Sequence, residues 1–291
     1  MKILLTGCSG QVGYELERSL QGLGEVVAVD RARMDLANLD QVREVIRDVK
    51  PQLIVNPAAY TAVDKAESEP ELAFRINAEA PGVMAEEAKR LGAALVHYST
   101  DYVFPGAEPG ARVETDATGP VNVYGASKLA GEQAIEASGV PHLIFRTSWV
   151  YGMRGKNFLL TMLRLAKERD ELRVVADQHG APTWSRTIAD TTATILAQGR
   201  LQGGQRGFDP AWWQQHGGIY HLSSQGQTTW FEFTQAIIDQ AGIDCRLVPI
   251  TSAEYPTPAR RPQYSVLSSQ RLLERFGHLP DWREALRLCM A

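Results

Sequence analysis

The chain has 291 residues, 44% hydrophobic and 22% charged, the profile of an ordinary globular protein with room for a large buried core. A formal net charge of -4 gives no electrostatic reason to expect nucleic acid or an anionic membrane as partner. Three cysteines without a CxxC pair argue against a disulfide framework or a thiolate metal site, and no apolar run is long enough to span a membrane.

Lys2 to Leu5 is a short apolar strand, too short to be a signal-peptide core, so a cytoplasmic protein with free thiols is expected. Gln11 to Leu20 has a helical stripe of Val12, Leu16 and Leu20, and Val26 to Val29 is a second strand closed by Asp30. Asp40 to Val49 is helical, Leu53 to Val55 is a third strand, and Ala78 to Leu91 is a long helix. Ala94 to His97 forms a fourth strand running into Ser99, Tyr124 to Ala137 a helix, and Leu143 to Phe145 a fifth strand. Apolar strands alternating with helices predict an α/β fold, a doubly wound parallel sheet that binds ligand beyond the carboxyl ends of its strands.

After Tyr151 the rhythm loosens. Thr161 to Glu168, Ile188 to Gln198 and Phe231 to Ala241 read as helices. Gly199 to Gly218, rich in Gly and Gln, reads as a surface insertion, and Pro249 to Pro262 as a loop. These parts predict a second, smaller α/β substrate domain. Residues 1–150, with about 184–222, would form the dinucleotide-binding part; 151–183 and 223–291 would form the substrate part.

Gly7-Cys-Ser-Gly10-Gln11-Val12-Gly13 lies between the first strand and the first helix. Gly7 permits the tight turn, Gly10 lets the backbone approach a pyrophosphate, and Gly13 allows close helix–strand packing. The helix N-terminus adds free N–H groups and a positive dipole end. Asp30 stands where a carboxylate would hold the adenosine ribose, although a turn-capping Asp is the plainer alternative. A carboxylate there favours NADH; Arg31 and Arg33 beside it offset the repulsion of a 2′-phosphate, so NADPH or NADH stays open. Asp35 and Leu36 would flank the adenine, and Ala58, Ala59 and Tyr60 would approach the rest of the dinucleotide.

Tyr124 and Lys128 are at i and i+4, on one helix face. A phenol is a poor acid–base catalyst at neutral pH, and a nearby ammonium would bring its pKa towards the working range. Thr100, in Ser99-Thr100-Asp101-Tyr102, emerges at the same carboxyl edge and can hold a carbonyl oxygen.

These residues resemble the extended short-chain dehydrogenase/reductase superfamily, with its glycine-rich loop and Tyr-x-x-x-Lys pair. Within it, four strings resemble the dTDP-4-dehydrorhamnose reductase family: Asn56-Pro-Ala-Ala-Tyr-Thr-Ala-Val-Asp64, Ser99-Thr-Asp-Tyr-Val-Phe104, Arg146-Thr-Ser-Trp-Val-Tyr-Gly152 and Asp177-Gln-x-Gly-x-Pro-Thr183. The resemblance covers most of the chain and is weakest around Trp212. It implies reduction of the 4-keto group of dTDP-4-dehydro-6-deoxy-L-mannose to dTDP-L-rhamnose, with a small nucleotide-sugar as substrate. Tyr124 would protonate the alkoxide, Lys128 would hold the nicotinamide ribose and lower the Tyr124 pKa, and Thr100 would hold the carbonyl. Trp149, Asp101 and Tyr102 would line the substrate site, with a packed core residue the alternative for Trp149. Arg260 and Arg261 would meet the diphosphate on charge alone, with a solvated loop pair the alternative.

Some relatives carry Mg²⁺ at a dimer contact. Glu15 matches one acidic ligand position, but Arg186 stands where another acid would be expected, so no metal site is assigned and a homodimer stays open. Related dehydratases place an Asp-Glu pair after Ser-Thr; Tyr102 here lacks the second carboxylate that elimination of water needs. An epimerase, which consumes no net cofactor, is not excluded on these residues. A non-catalytic binding subunit would not require Tyr124, Lys128 and Thr100 together.

Overall fold

The computed structural model of the chain describes residues 1–203 and 209–291. Its centre is a six-stranded, wholly parallel sheet of β1 (Lys2–Leu5), β2 (Glu25–Ala28), β3 (Leu53–Asn56), β4 (Ala94–Thr100), β5 (His142–Thr147) and a last strand, Gly218–His221. The order is β2–β1–β3–β4–β5 with Gly218–His221 at the far edge. The chain leaves β1 in opposite directions towards β2 and β3, so the crevice at their carboxyl ends is the switch point where such folds bind ligands.

Both faces are covered, which is why the strands are near-continuous apolar runs rather than alternating ones. On one face, α1 (Gln11–Ser19) and the helix Ser185–Gly203 pack with Ile3, Leu5, Val55, Val96 and Phe145. On the other, α2 (Leu39–Val49) and α5 (Ala80–Leu91) bury Val42, Ile46 and Met84 against Leu4, Ile54, Leu95 and Ile144. On this second face α6 (Val123–Ser138) packs beside α5, with α3 (Val63–Ala66) and α4 (Pro70–Phe74) against it and a π-helical turn at Arg75–Glu79 leading into α5. Asn122 caps α6 by accepting from Gly125 N–H at 2.8 Å, and Gly139 ends it in the left-handed conformation.

Two expectations need correction. Residues 204–208 of the supposed insertion lie outside the described residues, but its flanks are not loose surface. Pro210–His216 is a helix capped by Asp209, and Trp212 and Trp213 are buried in the main core, Trp212 stacked on His216 at 5.0 Å. Two indoles bury more apolar area than the neighbouring Gly and Gln residues could offset by staying solvated. Likewise, the supposed loop at Pro249 begins inside a strand: Arg246–Ile250 pairs in parallel with Glu171–Val175. Proline is tolerated in such a two-stranded ribbon because each strand has a free edge where no N–H is required. The helices Phe158–Glu168 and Trp230–Ala241 pack with this ribbon around Leu172, Val174, Ile238 and Cys245. The last two helices, Gln270–Phe276 and Trp282–Cys289, were not read from the sequence.

Candidate active site

The glycine loop forms the tight cradle expected of it. Gly7 has φ +57°, and a Cβ on Gly13 would come within 2.1 Å of the Gly7 carbonyl oxygen, so α1 can sit this close only without a side chain there. Gly10 is the N-cap of α1 and offers no side-chain cap, leaving Gln11, Val12 and their neighbours with N–H groups free for an anion. Those features fit a dinucleotide pyrophosphate. Gln11 itself is engaged, its Oε1 accepting from Asn157 Nδ2 at 2.8 Å.

Asp30, exposed at the end of β2, caps its own turn, one oxygen accepting from the Ala32 and Arg33 amides at 3.1 and 3.2 Å. The capping alternative thus accounts for one oxygen and leaves the other free. Asp35 is held locally by Arg31 and the Ala37 amide, and Leu36 is buried in the core beneath α2. Ala58, Ala59 and Tyr60 follow β3 at the switch point, where Ala58 packs against Gly7. Tyr60 is tied down on three sides: its N–H and C=O bond the Asn77 side chain at 2.8 and 3.0 Å, and its hydroxyl donates to Glu69 at 2.8 Å. Asn77 sits in the π turn and also donates to Ser127 of α6, so this irregular turn locks the β3 loop to the catalytic helix.

Tyr124, half-buried in the first turn of α6, meets the end of β4 because Gly125 lets the helix close on Tyr102; a Cβ there would lie 2.2 Å from the Tyr102 carbonyl. The Tyr102 and Tyr124 rings meet edge to face at 5.8 Å. Burial pushes the Tyr124 phenol up to about 12, with the nearby Thr100 hydroxyl pulling the other way. Thr100 donates to Asp101 at 2.9 Å and accepts from the Tyr102 amide at 3.2 Å. Asp101 is buried with its second oxygen unpartnered; burial pushes its carboxyl up to about 7, opposed by the nearby Ser265 hydroxyl and the hydrogen bond from Thr100.

A carboxyl held above its unfolded value near 3.9 keeps a proton that the unfolded chain releases between about pH 4 and 7, so its contribution to stability falls as pH rises through that window. Asp101→Asn removes the titration. The variant's Tm relative to the parent should therefore climb by several degrees between about pH 4.5 and 8. A constant difference at all pH values, measured by thermal unfolding, would mean that Asp101 stays charged.

Lys128 departs from expectation. Its Nζ does not contact Tyr124; it turns down into the sheet, donating to the Tyr98 backbone oxygen at 2.5 Å and lying 3.1 Å from His97 Nε2. It is buried, and burial brings it down to about 8 while the Glu132 carboxylate, one turn along α6, opposes that fall. Here the Tyr124 phenol is raised by burial, with Thr100 rather than the Lys128 ammonium opposing that rise. Glu132 in turn forms a buried bidentate pair with Arg146 of β5, at 2.9 and 2.7 Å.

Trp149 follows β5 with φ +47°, a strained conformation for an indole-bearing residue, and stacks on Trp230 at 3.5 Å. Trp230 anchors the stack through Nε1 to Gln178 at 3.2 Å. A cleft of about 600 Å³ opens beside Asp177, Gln178 and Tyr255, with both Arg260 and Arg261 in its wall. The two arginines separate in role. Arg260 is exposed; Arg261 is half-buried, bonds Asp64 at 2.8 Å, faces Tyr102, and keeps a buried Nη1 without a partner. Glu15 is half-buried on α1, and Arg186, where a second acid had been expected, pairs with Asp190 at 3.5 Å.

Residues bearing on the site that were not singled out include His97, Ser265, Gln178, Trp230 and the Glu132–Arg146 pair. Gln178 and Arg146 lie inside the quoted strings, but nothing in those strings gives them a role, and the others have no local motif. A lone histidine in an apolar strand gives no signal until β3 and α6 are placed on either side of it.

The whole chain, residues 1–291, matches the model of the RmlD substrate binding domain family. A dTDP-4-dehydrorhamnose reductase of Burkholderia thailandensis is 52% identical, the match covering 100% of this chain and 98% of the relative. The crystal structure of such a reductase from Clostridium acetobutylicum superimposes with a TM-score of 0.91 at 37% identity, covering 100% of this chain and 98% of that one. A Bacillus anthracis dTDP-4-dehydrorhamnose reductase, solved in complex with NADP, has a TM-score of 0.89 at 36% identity, covering 99% and 98%. With the glycine cradle, the Tyr124–Thr100 edge and a parallel sheet matched from end to end, the chain belongs to the dTDP-4-dehydrorhamnose reductase family.

Proposed function

We propose that this chain reduces the 4-keto group of dTDP-4-dehydro-6-deoxy-L-mannose to give dTDP-L-rhamnose, with NADPH or NADH as hydride donor. One observation carries the reading: the Tyr124 hydroxyl and Thr100 converge at the carboxyl edge of β4 above a buried Lys128. When bound, the reduced nicotinamide supplies the hydride. The cradle of Gly7, Gly10 and Gly13 would hold its pyrophosphate with the Gln11 and Val12 amides, Asp30 its adenosine ribose, Asp35 and Leu36 the edge of its adenine, and Ala58 to Tyr60 its middle. Lys128 would hold the nicotinamide ribose.

Thr100 and Tyr124 would hold the substrate carbonyl oxygen, and Tyr124 would give its proton as that oxygen becomes an alkoxide. A phenol at about 12 enters the step protonated, and an alkoxide is a stronger base than a phenolate, so the transfer runs downhill. Asp101, Tyr102 and Trp149 would border the sugar, while Arg261, with one unpartnered N–H group beside Tyr102, is better placed than Arg260 for the diphosphate. Tyr102 brings a ring rather than a carboxylate to this edge, which disfavours elimination of water.

The same reading assigns residues 1–150 with about 184–222 to dinucleotide binding, and 151–183 with 223–291 to the substrate. The strand Gly218–His221 on the edge of the main sheet, and the separate core around Tyr151, Phe233 and Trp282, support that division. A cytoplasmic enzyme, with a homodimer as the assembly to examine by sedimentation, belongs to this proposal too.

A coupled assay with enzymatically generated dTDP-4-dehydro-6-deoxy-L-mannose should show one NAD(P)H oxidised per dTDP-rhamnose formed. Conversion to an epimer without cofactor consumption would overturn the reading.

A further inference from the structure

Beneath the site, four buried side chains form an unbroken line across three strands. Thr6, at the end of β1, donates to Asn56 Oδ1 at 2.6 Å; Asn56 Nδ2 lies 3.1 Å from His97 Nδ1; His97 Nε2 lies 3.1 Å from Lys128 Nζ. His97 is held well below its usual pKa by burial and then by Lys128, so its ring is neutral.

A neutral imidazole has one N–H and one bare nitrogen, and an Asn amide can present either end. With Asn56 Nδ2 donating to Nδ1, the ring proton sits on Nε2 and points at Lys128, which then must be an amine with a free lone pair. With the Asn56 amide turned over, Oδ1 accepts from Nδ1–H and Nδ2 donates to Thr6. Nε2 is then bare and accepts from an ammonium. An ammonium at Lys128 therefore admits only the Nδ1–H tautomer of His97, whereas the neutral amine is the one state that can accept from Nε2–H, with the hydrogen-bond directions reversed as far as Thr6, the residue before the glycine loop.

We propose that His97 is a positioning residue for Lys128: it fixes Nζ beneath the site and changes tautomer, together with Asn56 and Thr6, as that amine gains or loses its proton. The tautomer change is independent of the reductase reading; its effect on turnover rests on that reading. Around Lys128, α6 contributes Tyr124 and Glu132, the latter held by Arg146 of β5. Asp101 follows β4, β5 sets Ile144 opposite His97, β3 offers only Asn56, and the π turn brings Asn77, bonded to Ser127. In α5, Glu87 is occupied by Arg47 and Arg90. Lys128 is thus the group in this line whose charge changes near neutral pH, at about 8.

The test is the imidazole ¹⁵N spectrum of histidine-labelled protein, with the His97 signals among the six histidines assigned by their loss in His97→Gln. The Nδ1–H tautomer should dominate near pH 6 and the Nε2–H tautomer near pH 10, crossing over at about 8. One tautomer throughout overturns the proposal. In His97→Leu the ammonium loses an acceptor, so the alkaline limb of kcat/KM should move down by about one pH unit. His97→Gln, with an amide to offer, should restore more than half of that shift. A uniformly lower kcat with an unmoved limb also overturns the proposal. The ¹⁵N titration uses the unaltered protein without substrate, so it decides even where His97→Leu fails to fold, and it separates this failure from failure of the reductase reading.

Discussion

Tyr124→Phe is expected to lower turnover by about 10³-fold while leaving the dissociation constant for NADPH within about twofold. The variant keeps the ring and its edge-to-face packing on Tyr102, so the first turn of α6 and the contact of Gly125 with β4 stay intact. What it loses is the phenol hydroxyl beside Thr100 at the carboxyl edge. The alkoxide must then take its proton from water or from Asp101, whose carboxyl is buried and pointed at Thr100 rather than at an open site. Cofactor titration by fluorescence and steady-state rates together check this. Turnover within about tenfold of the parent would remove Tyr124 as the proton donor.

Arg146→Met should destabilise the fold by about 3–5 kcal/mol, read as a lower urea midpoint at unchanged slope. The guanidinium and the Glu132 carboxylate are both nearly inaccessible and joined by two hydrogen bonds, and the cation also lies 5.1 Å from the Phe104 ring centre. Removing one partner strands a charge in a medium that solvates it poorly, which costs more than the pair itself contributes. The double variant Arg146→Met/Glu132→Leu should recover most of the loss, since neither charge then remains. A single variant within about 1 kcal/mol of the parent would show that water or Lys128 already compensates Glu132. The pair also bears on Lys128, whose proton the Glu132 carboxylate helps to hold.

The parts of this protein that were legible in the sequence are those governed by neighbours along the chain. The first strand, the Gly7–Gly13 loop and the first helix are one continuous segment, and their glycine spacing is a local requirement of turning and close packing. The Tyr124–Lys128 pair is legible for the same reason, since a helix alone puts i and i+4 on one side. Asp30 in the sequence fits a ribose ligand or a turn cap, and the cap is legible because it too is local.

What remained illegible depends on distant chain. Trp212 and Trp213 sit among Gly and Gln residues, and only the core of the main sheet makes them interior. The strand Gly218–His221 has four residues and no pattern of its own; it exists because β5 offers a free parallel edge. Trp149 was singled out, but its stacking partner Trp230 comes from a helix whose place depends on the second core.

Lys128 shows the division within a single side chain. The sequence by itself determined that an amine would stand one helical turn from a phenol, because that spacing follows from the backbone of α6. Tertiary structure alone decided that the amine points away from the phenol to His97 and the Tyr98 carbonyl, because β4 and β3 supply a dry hydrogen-bonding line that no local pattern encodes.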